Sequence, residues 1–163
     1  TIVRTSEKMK LLNTITESSL LRMFSFITSP LVSPLIRLFA PSISISKLQR
    51  YKKSFLEKRK SNDSLICHHA PAALLFHGAV TKTGMPEADA NIWATYTSIF
   101  ANTLGLGTCF NGFIVKAMGK NSKQNPFFGI PAKHKVYAAL LIGYPKVKYV
   151  NECSRKSPEV TMI

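Results

Sequence analysis

Helices layered against buried strands are the architecture this sequence predicts, and three observations predict it. Two continuous apolar runs, residues 70–76 and 136–142, are bounded by Gly or Pro and have the length of strands buried on both faces. Residues 90–115, between those runs, contain no charged side chain in a protein of formal net charge +14. Two buried strands separated by a helix point to a layered core rather than to an all-β sandwich or a helix bundle.

Taken in order, Ile2 and Val3 read as the end of a strand. A helix follows from about Ser6, which suits an N-cap, through the apolar positions Met9, Leu12 and Ile15. Residues 20–45 read as short helical pieces interrupted by Pro30, Pro34 and Pro41, since each proline removes a backbone donor and restricts the residue before it. Residues 47–60 form a plausible helix with Leu48, Tyr51 and Phe55 on one face and Arg50, Lys52, Lys53, Lys58, Arg59 and Lys60 over the others. A solvated basic face is its ordinary reading, and a patch for nucleic acid or a membrane surface is the sharper one. Together residues 20–60 are expected to be a variable helical insert or cap.

The helix expected over residues 86–104 is the most informative element. It places Ile92, Tyr96 and Ile99 on one face with Trp93, Phe100 and Leu104 beside it, and leaves only the small stripe of Asn91, Thr95, Ser98 and Asn102. No face of such a helix suits open water. A chain of 163 residues has little material with which to surround it. A subunit partner is the economical cover, so a homodimer is expected; the alternative is a central helix covered by its own domain alone.

Composition narrows the rest. Residues 1–60 hold twelve Lys or Arg against three acids, and residues 61–163 hold ten against five, so the excess charge lies ahead of the uncharged segment. Cys67, Cys109 and Cys153 are scattered, without the close pairs that zinc or iron–sulfur ligation uses, and a reducing cytoplasm is expected. The apolar residues of 20–45 are interrupted by Arg22, Pro30, Pro34, Arg37 and Pro41, which excludes a transmembrane span of roughly 20 apolar residues there. His68 and His69 are adjacent and in an extended segment would point apart, and His77 and His134 are expected to be surface or capping residues at strand ends. No nucleophile elbow and no paired carboxylates argue for hydrolysis.

After the uncharged helix comes Gly105-Leu106-Gly107-Thr108-Cys109-Phe110-Asn111-Gly112-Phe113. Glycines at this density let a ligand approach the backbone. A helix C-cap followed by a strand explains Gly-x-Gly equally well, and neither a dinucleotide fingerprint nor a P-loop is present. With Ala70-Pro71 opening an apolar run, Glu87 and Asp89 at a helix start, Gly129-Ile130-Pro131 before His134-Lys135-Val136, Leu141-Ile142-Gly143-Tyr144-Pro145, and Arg155 before Pro158, this segment resembles the FMN-dependent nitroreductase family over about residues 65–163. The basic and proline-broken segments before them resemble the variable insert of members fused to a ferredoxin-type domain.

The resemblance implies an α+β fold, a mixed β-sheet sandwiched by helices in three layers, with FMN at the interface of an intertwined homodimer. It implies that Pro71, Gly107, Cys109, Phe110, Asn111 and Gly112 lie along the flavin, and that Arg155, assisted by Lys156, reaches the phosphate through the guanidinium fork. Asn111 stands where the family often has an acid. The family's opening Arg-Ser-x-Arg and Pro-Ser…Asn…Gln-Pro segments do not occur, so a single domain lacking its N-terminal portion is expected. The implied activity is ping-pong electron transfer from NAD(P)H or ferredoxin to nitroaromatic, quinone or similar acceptors, without a protein nucleophile, metal or nucleic acid. The alternative is a non-catalytic basic binding protein that uses this scaffold without flavin.

Overall fold

The computed structural model describes residues 1–40, 44–60, 64–81, 83–119, 123–147, 156, 157 and 161, apart from the side chains at 35, 37 and 58. Its elements are β1 (Ile2–Val3), α1 (Ser6–Ile27), α2 (Ser33–Phe39), α3 (Ile45–Lys60), β2 (Ala72–Ala79), α4 (Pro86–Thr103), β3 (Gly107–Phe110), α5 (Gly112–Met118), a 3-10 turn (Asn125–Phe128) and β4 (His134–Gly143). The α+β class is as expected. Where a mixed sheet was expected, every pairing among the described residues is antiparallel, in the order β1-β2-β4-β3.

Side-chain alternation along β2 and β4 divides the core between two faces. Ala73, Leu75, Ala139 and Leu141 pack with Met9, Leu12, Leu20 and Phe24 of α1 and with Ile114 and Met118 of α5. Leu74, Phe76, Ala138 and Leu140 pack with Ala90 and Ala94 of α4. Helices therefore cover both faces, giving three layers. Between Phe76 and His77 the partner in β4 jumps from Ala138 to Val136, so Tyr137 is an extra residue in a β-bulge. The bulge puts Val136 and Ala139 on the same side of the sheet, where both join the α1 and α5 layer.

The buried seam of α1 recurs every three or four residues through Met9, Leu12, Thr16, Leu20 and Phe24, and the helix runs unbroken through Ile27. Residues 20–27, expected among the short helical pieces, instead continue α1, because the first proline, Pro30, lies beyond the helix end. At that end the Thr28 hydroxyl donates to the Phe24 carbonyl at 2.7 Å. Pro34 then falls in the first turn of α2, where a missing N–H costs nothing. In α3 the inward positions are Ile45, Leu48, Lys52 and Phe55, and Phe55 meets Phe24 edge-on with ring centroids 5.9 Å apart.

Asn13 ties the turn at residues 64–70 to α1. Its Oδ1 accepts from Ser64 Oγ at 3.3 Å and from the N–H groups of Ile66 and Cys67 at 3.1 Å each, and its Nδ2 donates to the buried Glu17 carboxylate at 2.6 Å. The turn needs this support because His68 and His69 both take positive φ, 46° and 56°, a conformation costly for residues with a side chain. They are therefore not the extended pair expected from sequence. We expect Asn13→Ala to leave the Ile66 and Cys67 N–H groups unpaired and to lower stability by about 2–3 kcal/mol in urea unfolding; a loss below about 0.5 kcal/mol would show that the turn holds itself.

Candidate functional site

The glycine-rich segment begins as the end of α4. Gly105 has φ +74° and donates to the Asn102 carbonyl, and Leu106 donates to the Ala101 carbonyl, the paired bonds of a Schellman stop. Gly105 is thus accounted for by the helix end. Gly107 then opens β3, which pairs along β4 as Gly107 with Gly143 through Phe110 with Leu140. The Asn111 N–H donates to Ala139 O at 2.9 Å. By antiparallel alternation, the main-chain groups of Thr108 and Phe110 then face away from β4, along a sheet edge with no further strand among the described residues.

Side chains follow the same register. Thr108 and Phe110 share the α4 face of the sheet with Ile142 and Leu140, and Thr108 Oγ1 meets Ser98 Oγ of α4 at 2.5 Å. Cys109 projects to the opposite face and is an exposed free thiol. Asn111 is buried: its Oδ1 accepts from the Ile114 N–H to cap α5, and its Nδ2 donates to Ile66 O at 2.8 Å. Its side chain therefore joins β3, α5 and the 64–70 turn, a structural duty that its family position did not disclose.

Pro71 stands at the same sheet end as Gly107. A Cβ on Gly143, between them, would meet Pro71 Cδ at 2.9 Å, so glycine is required there. Gly107 and Gly112 differ. A Cβ at Gly107 would make only ordinary contacts of 3.6 Å or more, and one at Gly112 would enter open space. Neither is held at positive φ. The fold of the single chain does not demand glycine at either position.

The structure thus gathers Pro71, Gly107, Cys109, Phe110, Asn111 and Gly112 around β3 and the adjoining sheet end. Lys156 is exposed, and Arg155 lies outside the described residues. Beside β3, α4 is turned inside out. Its buried residues are Ala90, Ala94 and Ala101, whereas Ile92, Trp93, Tyr96, Ile99, Phe100 and its cap residue Leu104 are 55–69% exposed.

A cavity of about 730 Å³ lies on the other side of Pro71, lined by Arg4, Lys10, Asn13, Glu17, Arg59, Cys67 and His69 among others. Sequence reasoning read Arg59, Cys67 and His69 separately and did not bring these residues together. One signal was available: Glu17 is a charged residue beside the inward seam of α1, between the buried apolar positions Leu12 and Leu20. At the far end of the sheet, His77 Nδ1 and His134 Nδ1 are 3.0 Å apart, so at least one imidazole must be neutral to accept the bond. Burial, then the positive charges of the Thr1 amino group and His134, hold His77 below the usual histidine range. Among the described residues no group of three or more His, Cys, Asp or Glu is placed to hold a metal.

Neither a protein-family model nor a characterised protein sequence matches the chain. Solved structures do. A nitroreductase with bound FMN from Bacteroides fragilis aligns over 100% of this chain and 74% of its own, at 17% identity and a TM-score of 0.67. A BluB-like flavoprotein from Clostridium difficile aligns over 96% and 74%, at 12% identity and 0.54. A mutant of the FMN- and NADPH-dependent nitroreductase NfnB from a Sphingopyxis strain aligns over 94% and 74%, at 15% identity and 0.53. The chain has the nitroreductase fold.

Cys67 gives this region a measurable pH signature. Burial, with the nearby Glu17 carboxylate adding to it, pushes its thiol from the ordinary 9.0 up to about 11. Between those values the unfolded chain releases this proton and the folded chain keeps it, so stability falls as pH rises through the interval. Compared with Cys67→Ala, the parent should lose up to about 2 kcal/mol more between pH 9 and 11 in urea unfolding. Parallel pH profiles would show that Cys67 ionises in the folded state as easily as in the unfolded one.

Proposed function

We propose that the chain is the subunit of a homodimeric, FMN-dependent oxidoreductase that passes electrons from NAD(P)H or ferredoxin to a flat acceptor such as a nitroaromatic or quinone. The observation that carries this reading is the outward apolar face of α4, lying against the open β3 edge on a nitroreductase fold. Its six large side chains, each of roughly 150–250 Å² and more than half exposed, offer on the order of 700 Å². That exceeds the apolar patch usual for a monomer, and two copies would bury about 1,400 Å², within the standard range for a specific interface.

The residues around β3 suit a planar, phosphate-tailed ring on chemical grounds. Gly107 and Gly112 leave the main chain open to close approach although the fold does not require glycine there. The outward N–H groups of Thr108 and Phe110 offer donors that could meet negative charge developing on a reduced ring. Phe110 supplies an apolar wall, Pro71 the rim of the sheet end, and Cys109 and Asn111 the segment between, with Asn111 fixing its shape rather than touching the ring. Arg155 and Lys156 are assigned to the phosphate. Bound FMN would supply the redox chemistry, while these residues orient it and, with the second subunit, exclude water. A reducing cytoplasm suits the free thiols Cys67 and Cys109.

Ile99→Glu tests the reading, because it places a carboxylate in the middle of the proposed interface. The parent should have twice the mass of one chain by light scattering and should take up added FMN with a shift in the flavin's visible spectrum. The variant should have the mass of one chain, with FMN affinity lower by about tenfold or more. A parent protein that is colourless as purified and leaves the spectrum of added FMN unchanged would favour the basic binding protein instead.

A further inference from the structure

We propose that the corner formed by the end of α1, α2 and the basic helix α3 is a docking face for an anionic phospholipid surface. The flavin reading leaves this part of the molecule unused, and the two ideas stand or fall separately. Residues 45–60 carry seven Lys or Arg against one acid, Glu57. The one ion pair of α3 among the described residues, Lys53 Nζ to Glu57 Oε1, is 4.0 Å long and solvent-exposed, so it neutralises little. Among the described side chains of α3 only Ile45, Leu48, Lys52 and Phe55 turn inward, which leaves Lys47, Arg50, Lys53, Arg59 and Lys60 in solvent.

At the neighbouring corner, Phe26 closes α1, Leu31 sits in the following turn, and Leu38 and Phe39 end α2. All four are 67–86% exposed, more so than most side chains of α4. Only four residues separate Ala40 from Ile45, a span of at most about 3.5 Å per residue, so the apolar corner and the basic helix are adjacent. Large apolar side chains beside a cationic helix are the pairing that enters the boundary between headgroups and acyl chains.

Other occupants fit less well. A second copy would bring the same cationic helix and repel. Nucleic acid would match the charge, but it has no use for Leu31 and Leu38, and α3 offers Tyr51 as its one exposed ring for stacking. Among the described residues no helix is long and apolar enough to cross a membrane, so the contact would be peripheral.

Co-sedimentation of the full chain with vesicles tests the proposal, using phosphatidylcholine alone and phosphatidylcholine mixed with phosphatidylserine. We expect binding to the mixed vesicles to be at least about tenfold tighter and to weaken as salt is raised. Leu31→Ser with Phe39→Ser should lower binding to mixed vesicles about tenfold or more with an unchanged circular dichroism spectrum. Arg50→Glu with Lys53→Glu should lower it at least as far, whereas Lys133→Glu with Lys146→Glu, the same charge change elsewhere, should alter it by less than about threefold. The proposal is overturned if mixed vesicles are not bound, if the serine variant binds like the parent, or if both charge variants lose binding equally. Tighter binding to a single-stranded RNA that ignores the serine substitutions would give the surface to nucleic acid and overturn it too.

Discussion

The structure depends on one contact of unusual polarity, the packing of α4 on the sheet. A helix covering one sheet of an isolated domain normally buries its large apolar side chains and shows water its small or charged ones. Here the order is reversed. Ala90 and Ala94 lie flat against Ala138 and Leu140, and their small size lets the helix backbone settle close to the strands. Trp93, Tyr96, Ile99 and Phe100 are left pointing outward. The alanine contact holds α4 in place and buries Ala138 and Leu140, but it removes little of the helix's own apolar area from water, so cover over the outer face is where further hydrophobic stabilisation of this helix lies.

The other layer is built to hold the opposite face of the sheet steady. Two asparagines organise it. Asn13 draws the 64–70 turn against α1, and Asn111 joins that turn to β3 and the first turn of α5. The segment from Gly107 to Gly112 is thereby fixed from behind while its edge and α4 side remain open. Pro71, packed over Gly143, closes the sheet end next to it. The braced layer and the uncovered layer meet at β3, and the proposed site is placed there rather than in the basic cavity behind Pro71.

Much of this was legible in the residues, for reasons that also explain what was not. Both long strands were visible because apolar runs between Gly and Pro signals have few other uses. Their bulge was not: residues 136–142 are apolar throughout, so no alternation betrayed the extra residue at Tyr137. The apolar outer side of α4 was visible in its lack of charge beyond Asp89, but its inward face was not, since alanines carry little hydropathic signal beside Trp, Tyr and Ile. Reading residues 20–45 as broken at every proline ended α1 too early, because proline acts on its own turn and the residue before it, leaving Leu20 to Ile27 free to continue the helix. Asn111 was assigned by family position to the flavin edge, although an Asn just before a helix start is also an N-cap signal, and the structure uses it as one.

Trp93, the only tryptophan in the chain, lies on the outer face of α4 and is 68% exposed in a single subunit, so it reports directly on whether that face is covered. Its fluorescence emission should be measured across a dilution series of the native protein. If two copies bury α4 against each other, the emission will be blue-shifted at high concentration and will move to the red as the dimer dissociates. Emission that is red, concentration-independent and no different from that of the unfolded chain would contradict the account.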